Sequence, residues 1–179
     1  FAQSQAGKRV SFYYSPENLR LGKAIEVFNN PDRIVIGRRA DADTGNIEKL
    51  LNSICERIEW MNVESAEMTK HALNAFLAAS VTFINELAEI CEKVGADAKE
   101  VERGLKSEPR IGPRAYLGPG GSFAGGTLAR DIQFLQTIGT AVEVQTPLIS
   151  GVWESNNHHK SWAERKVIER LGSLKGETI

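Results

Sequence analysis

Residues 64–95 read ESAEMTKHALNAFLAASVTFINELAEICEKVG. Apolar side chains recur there with the period of a helix, at Met68, Ala72, Ala75, Phe76, Ala79, Phe83, Leu87, Ile90, Cys91 and Val94. No proline interrupts the run, and Gly95 supplies a C-terminal stop. Glu64 and Glu67 sit at the helix end that favours anions. At about 1.5 Å per residue the stretch predicts one helix of roughly 45 Å, long for a globular protein. Its apolar face is broad. Phe76, Ala79 and Phe83 could serve two surfaces at once, or the helix could be buried within one subunit. Lys70 and Asn74 stand one turn apart on a shared face of this apolar run, and an ammonium and an amide there need a reason.

Upstream, Val10 to Tyr14 (VSFYY) reads as a short strand stopped by Ser15-Pro16. Glu17 to Gly22 (ENLRLG) follows as a turn or short helix opened by Pro16. Arg33 to Ile36 (RIVI) is a second strand ending at Gly37. Asn46 to Ile58 has the pattern of an amphipathic helix, with Ile47, Leu50, Leu51, Ile54 and Ile58 on one side. Glu59 to Val63 reads as a further strand. Strand, strand, helix, strand is the tail of an α/β domain, although no G-x-G-x-x-G follows a strand here.

Downstream, Asp97 caps a helix over Ala98 to Leu105. Residues 107–126, SEPRIGPRAYLGPGGSFAGG, hold no periodicity, and their prolines and glycines describe a shaped loop. Thr127 to Thr140 returns to helix, with Leu128, Ile132, Leu135 and Ile138 inward. Pro147 opens one last long helix through Trp153 and Trp162 to Leu171, ended by Gly172.

The chain has 179 residues, 41% hydrophobic and 25% charged, with a formal charge of −1. That is ordinary globular material with one or two small cores. Nothing in the charge balance points to a nucleic-acid or acidic-membrane partner. No signal peptide and no apolar run of membrane-spanning length is read. Cys55 and Cys91 fall on apolar helical positions, as reduced core thiols of a cytoplasmic protein do. His71, His158 and His159 have no metal-ligand spacing with acids or cysteines, so no metal site is expected.

Four places hold residues suited to chemistry. Glu17 follows a strand end and a proline, where a glutamate can act or merely satisfy a helix dipole. Lys70 and Asn74 can both donate to an oxygen that develops negative charge, on a helix that fixes their geometry; the alternative is a snorkelling lysine beside an ordinary polar position. The loop from Arg110 to Gly126 offers glycine N–H groups and two arginines, Arg110 and Arg114, suited to phosphate, or it is a flexible surface loop. Thr127 and Asp131 lie four apart at a helix start and face one way; the alternative is an N-cap and a solvated first-turn acid, with Arg130 an exposed neighbour.

Together these segments resemble the UDP-glucose/GDP-mannose dehydrogenase family. YYSPENLRLGKAIEVFNNPDRIVIG (13–37) resembles the family's catalytic-glutamate segment and the strand after it. AEMTKHALNAFLAASVTFINELAEICEKVGAD (66–97) resembles its central dimerisation helix. RIG (110–112) and LGPGGSFAGGTLARD (117–131) resemble its substrate loop and nucleophile motif. The resemblance implies a mainly α central dimerisation domain, of the 6-phosphogluconate dehydrogenase C-terminal type, preceded by the tail of an α/β Rossmann-type domain. It implies NAD as cofactor, a UDP-sugar as substrate, a homodimer, and oxidation of the C6 alcohol of the nucleotide sugar. By the same resemblance Glu17 serves thioester hydrolysis, Lys70 and Asn74 hold the oxyanion and a catalytic water, and Asp131 assists proton transfer. Arg110 reaches the sugar nucleotide across a dimer interface. Tyr116, Leu117, Gly120, Phe123 and Gly125 line the substrate, and Glu17 and Arg130 lie toward the cofactor.

The chain departs from the family at the nucleophile. Thr127 stands where a cysteine is normal, Arg130-Asp131 replaces Lys-Asp, and Ser122 and Ala124 stand in place of glycines. No thioester can form through a threonine hydroxyl, which puts the second oxidation in question. A catalytically deficient relative that binds sugar nucleotide, or serves assembly only, is the alternative. The expected division is 1–64 as the end of the NAD-binding domain, 65–172 as the central helical domain, and 173–179 as the start of a C-terminal nucleotide-binding domain. FAQSQAG at the start is expected to follow a late Rossmann strand of the same domain.

Overall fold

A computed structural model describes residues 11–17, 19 and 22–172. Val10, half of the ENLRLG turn, the opening FAQSQAG and the 173–179 segment lie outside the described residues. The chain divides into two compact units between Ala72 and Leu73.

The first unit is built on a three-stranded sheet in the order β1-β2-β3. β1 (Tyr13–Tyr14) runs antiparallel to β2 (Ile34–Arg38), with Tyr13 opposite Arg38. β3 (Ile58–Asn62) runs parallel to β2, in a register that sets Ile36 opposite Trp60. A parallel pair needs a crossover, and α2 (Gly45–Asn52) supplies it. α2 ends six residues before the Ile58 expected from periodicity. The chain must leave the helix to reach the sheet. The Ser53 hydroxyl donates to the Leu50 carbonyl at 2.6 Å, and the Ile34 N–H already bonds the Arg57 carbonyl at 2.9 Å. β2 also continues past Gly37 to Arg38. Gly37 is required there, because a Cβ would come within 2.8 Å of Val63 Cα and Ala66 Cβ. A short helix, α1 (Ala24–Asn29), is not expected from the sequence; it is six residues long and buries none of them, Ile25 and Phe28 included.

α3 (Val63–Val94) is the long helix expected from the sequence. Its first turn has a cap that the sequence reading missed, the Asn62 carboxamide oxygen accepting from the Ser65 N–H at 2.7 Å. By length and composition alone α3 could cross a membrane, a correction to the reading of that run. Its apolar residues split into two sets. Ala78, Ile84 and Cys91 are buried, whereas Phe76, Phe83, Ile90 and Val94 are 73%, 53%, 57% and 72% exposed. The exposed four recur at intervals of seven, seven and four, which is one stripe along the helix. Both cysteines are free thiols; Cys91 is buried, and Cys55 falls beyond the end of α2.

The second unit packs helices around the rest of α3. Asp97 caps α4 (Ala98–Ser107), accepting from the N–H groups of Lys99 and Glu100. α5 (Thr127–Ala141) begins after Gly126, so Gly126 is the cap and Thr127 the first helical residue. Phe123, Ala129, Ile132 and Val152 close on Ala78 to form the core, and Leu128, Ile149 and Trp153 pack against it. Pro147 does open a helix, but the last long helix is two: α6 (Pro147–Lys160) and α7 (Trp162–Leu171), broken at Ser161. Arg165 fixes the break by donating to the His158 carbonyl and the Ser161 hydroxyl, both at 2.8 Å. With α6 ended there, α7 returns along α3, joined by Arg165–Glu89 (2.9 Å), Lys166–Glu92 (2.7 Å) and Lys93–Glu169 (3.0 Å). Neither proline nor glycine marks this break, which is why periodicity reads through it.

Candidate active site

Within the first unit, the sheet end at Tyr14 and the start of α3 hold one pair of candidate residues. Lys70 Nζ lies 2.8 Å from Glu17 Oε1. The Glu17 carboxylate also accepts from the Leu19 N–H at 2.9 Å. Lys70 is largely covered, its side chain 20% exposed, while that of Glu17 is 62% exposed. Pro16, buried next to it, anchors this turn. The lysine therefore does not snorkel into solvent. It is pinned against a carboxylate 53 residues away.

Within the second unit, Asn74 donates through its carboxamide to the Asp131 carboxylate. Asp131 is 1% exposed, among the most deeply buried side chains of the chain. Reading it as a solvated first-turn acid is thereby corrected. α5 turns it inward because Ala129 and Ile132, on either side, belong to the core. A buried carboxylate is costly unless hydrogen-bonded, and Asn74 meets part of that requirement. Arg130 points outward, 70% exposed, its Nε 3.9 Å from Asp131. Thr127, one turn earlier, is exposed, and its hydroxyl makes no hydrogen bond among the described residues.

The loop between α4 and α5 is held at two buried side chains, Leu117 and Phe123, at 8% and 9% exposure. Asn156, itself 1% exposed, clamps the Phe123 peptide. Its Oδ1 accepts from the Phe123 N–H and its Nδ2 donates to the Phe123 carbonyl, both at 2.9 Å. Asn85, 2% exposed, does the same for the glycines, accepting from the Gly120 N–H at 2.9 Å and donating to the Gly121 carbonyl at 3.4 Å. His159 completes the hold, with Nε2 2.8 Å from the Gly120 carbonyl and Nδ1 2.8 Å from Glu89. Sequence reading missed Asn85, Asn156 and His159. For Asn85 a signal existed: it stands 11 residues after Asn74, three helical turns along the same face, as a second carboxamide in the apolar run.

The expected loop residues divide by this geometry. Leu117 and Phe123 face the core, and the Phe123 peptide is already bonded. Tyr116 is 59% exposed, and Gly120 and Gly125 are exposed backbone. Arg110 is 88% exposed and bonds Glu108 at 2.9 Å, which raises the guanidinium pKa and holds the Glu108 carboxyl below its usual range. Among the described residues no group of three His, Cys, Asp or Glu side chains is placed to hold a metal ion.

A family model, the UDP-glucose/GDP-mannose dehydrogenase family central domain, matches residues 64–158, more than half of the chain. The chain is 38% identical over 170 residues to the UDP-glucose 6-dehydrogenase YwqF of Bacillus subtilis, covering 95% of the chain and 38% of that protein. It is 39% identical over 165 residues to the UDP-glucose 6-dehydrogenase TuaD of the same organism, covering 92% of the chain and 36% of that protein. Among solved structures, a UDP-glucose dehydrogenase from the archaeon Pyrobaculum islandicum superimposes with a TM-score of 0.84 at 31% identity, over 93% of this chain and 38% of that one. The chain thus spans less than two-fifths of the length of these relatives. The matched segment contains Lys70, Asn74, the clamped glycine loop and Asp131, and on that match the chain belongs to the UDP-glucose/GDP-mannose dehydrogenase family.

Proposed function

We propose that this chain is the substrate-binding and dimer-forming part of a UDP-glucose 6-dehydrogenase-like enzyme, one that oxidises the C6 alcohol of a UDP-sugar. The observation that carries the reading is the buried Asp131 carboxylate bonded to Asn74, in a chain of this family. Oxidising the alcohol removes a proton from O6 and a hydride from C6, leaving an aldehyde. As the proton departs, O6 bears negative charge, and an ammonium and a carboxamide are suited to stabilise it until the hydride leaves. In this reading Lys70 and Asn74 are those donors, Glu17 orients Lys70, and Asp131 aims the Asn74 amide and accepts the proton. The exposed loop backbone around Gly120 and Gly125, with Tyr116, receives the sugar and phosphates. The division expected from sequence is kept as part of the proposal: residues 1–64 with the NAD-binding domain and 65–172 as the central domain.

NAD is the hydride acceptor that the family implies. A dinucleotide pyrophosphate needs a glycine turn at a helix N-terminus. This sequence has no G-x-G-x-x-G, and Glu17 and Arg130 are 62% and 70% exposed and already ion-paired. These residues do not by themselves make that site, and no step here runs through the cofactor.

The exposed stripe on α3 is read as a homodimer interface, with Arg110, exposed though paired with Glu108, read as serving a neighbouring copy. A cytoplasmic protein with neither nucleic-acid nor membrane partner fits the net charge of −1 and the polar groups that α3 buries at Thr82 and Asn85. Thr127 favours one second reading, a relative that binds sugar nucleotide without reducing NAD: a threonine hydroxyl stands where the family has its cysteine nucleophile. Calorimetric titration with UDP-glucose tests the common part. Saturable binding that Lys70→Ala weakens is expected. Binding of GDP-mannose alone would move the protein to the other branch, and binding of neither contradicts the proposal.

A further inference from the structure

His159 faces two acceptors. Its Nδ1 meets the Glu89 carboxylate and its Nε2 meets the Gly120 carbonyl, each at 2.8 Å. A carbonyl can only accept, and so can an ionised carboxylate. A neutral imidazole has one N–H and can satisfy one of them; the imidazolium satisfies both. Glu89 stays ionised because Arg165 grips both of its oxygens, at 3.1 and 2.9 Å. The ring is nearly enclosed, 9% exposed, and stacks on Trp162 with centroids 6.0 Å apart.

The remaining charges around the ring leave this balance intact. On α3, Glu92 is engaged by Lys166 of α7 at 2.7 Å. On α6, Lys160 turns away to Asn157 and the Trp153 ring, and His158 is exposed. The charged groups next to His159 are therefore the Glu89 carboxylate and the Arg165 guanidinium that shares it.

Apolar packing does not hold the loop at Gly120. A recess of about 450 Å³ is lined by Pro119, Gly120, Gly121 and Ser122 on one side and by Asn85, Glu89 and His159 on others. Between its buried anchors at Leu117 and Phe123 the loop is tied by Asn85 and His159.

We propose that His159, as an imidazolium backed by Glu89 and Arg165, is the positioning residue of the glycine-rich loop, fixing Gly120 where the loop meets a nucleotide sugar. The link to substrate rests on the function proposed above; the hold on the loop does not. When His159 loses its proton, the remaining N–H stays with the charged Glu89, the stronger acceptor. The Nε2 lone pair then faces the Gly120 oxygen and the tie is lost. The hold on the loop is therefore complete only while both ring nitrogens carry protons.

Two readouts on the intact protein test this. In nitrogen-15 NMR the His159 ring should be doubly protonated wherever UDP-glucose binds fully, and a neutral ring there overturns the proposal. Exchange of the Gly120 and Gly121 amides, corrected for the intrinsic rate, should rise as His159 titrates. His159→Gln, a neutral donor that does not titrate, should abolish that rise while keeping the fold. His159→Phe should raise KM for UDP-glucose by about tenfold, the worth of one charge-assisted hydrogen bond, and leave kcat nearly unchanged. An exchange profile identical in wild type and His159→Gln contradicts the proposal. If UDP-glucose binds at no pH, the functional reading fails, and the exchange profile alone still decides the role of His159.

Discussion

At the scale of single residues, the candidate site rests on pairs in which one member makes sense of the other. Lys70 is held by Glu17, and Asn74 by Asp131. Asp131→Asn keeps the shape but removes the charge; kcat should fall by about 10²–10³, the scale of a misplaced donor at a developing oxyanion, with little change in thermal midpoint. Steady-state kinetics beside calorimetry separate the two. Thr127→Cys is expected to add the missing nucleophile and raise the NADH formed per UDP-glucose. Glu89 carries a pH signature of its own. Burial pushes its carboxyl up, but the bonds from His159 and Arg165 together outweigh this and leave it below its ordinary 4.5. A depressed carboxylate contributes stability above its unfolded value and loses it as pH falls through its folded value. Denaturant titration should therefore find Glu89→Gln less stable than wild type at neutral pH, with the difference vanishing in acid. The types of the site residues were legible in sequence, because lysine and asparagine inside an apolar helix are anomalies. His159 was not, since its meaning comes from a carbonyl 39 residues away.

At the scale of elements, α3 was legible because period and stop agree in one stretch of chain, and α4 because Asp97 announced its cap. The boundaries that failed were set by tertiary demands. α2 stops early to return the chain to a parallel strand, and the α6–α7 helix breaks so that α7 can pair with α3. Gly37 belongs to this scale, since it lets β2 approach the first turn of α3. Gly37→Ala should destabilise the first unit by about 1–3 kcal/mol, the usual cost of overpacking, measured as a lower denaturant midpoint at unchanged slope. The β-carbon would meet backbone at Val63, which cannot give way as a flexible side chain can.

At the scale of the whole molecule, the proposed homodimer rests on Phe76, Phe83, Ile90 and Val94, an exposed apolar stripe of the kind that marks an interaction surface. Phe83→Asp should convert a dimer to a monomer in light scattering, with helix content retained; a wild-type monomer at the same concentration would contradict the interface. The sequence alone announced a broad face but left open whether it was buried, because periodicity records where apolar residues lie and says nothing of what covers them. The central claim is that this chain serves a nucleotide-sugar oxidation lacking the thiol half of the chemistry. Its most direct test is the amount of NADH formed per UDP-glucose consumed by the intact protein. No more than one NADH per sugar is predicted, with the C6 aldehyde as product; two NADH per sugar, with the uronate as product, would contradict it.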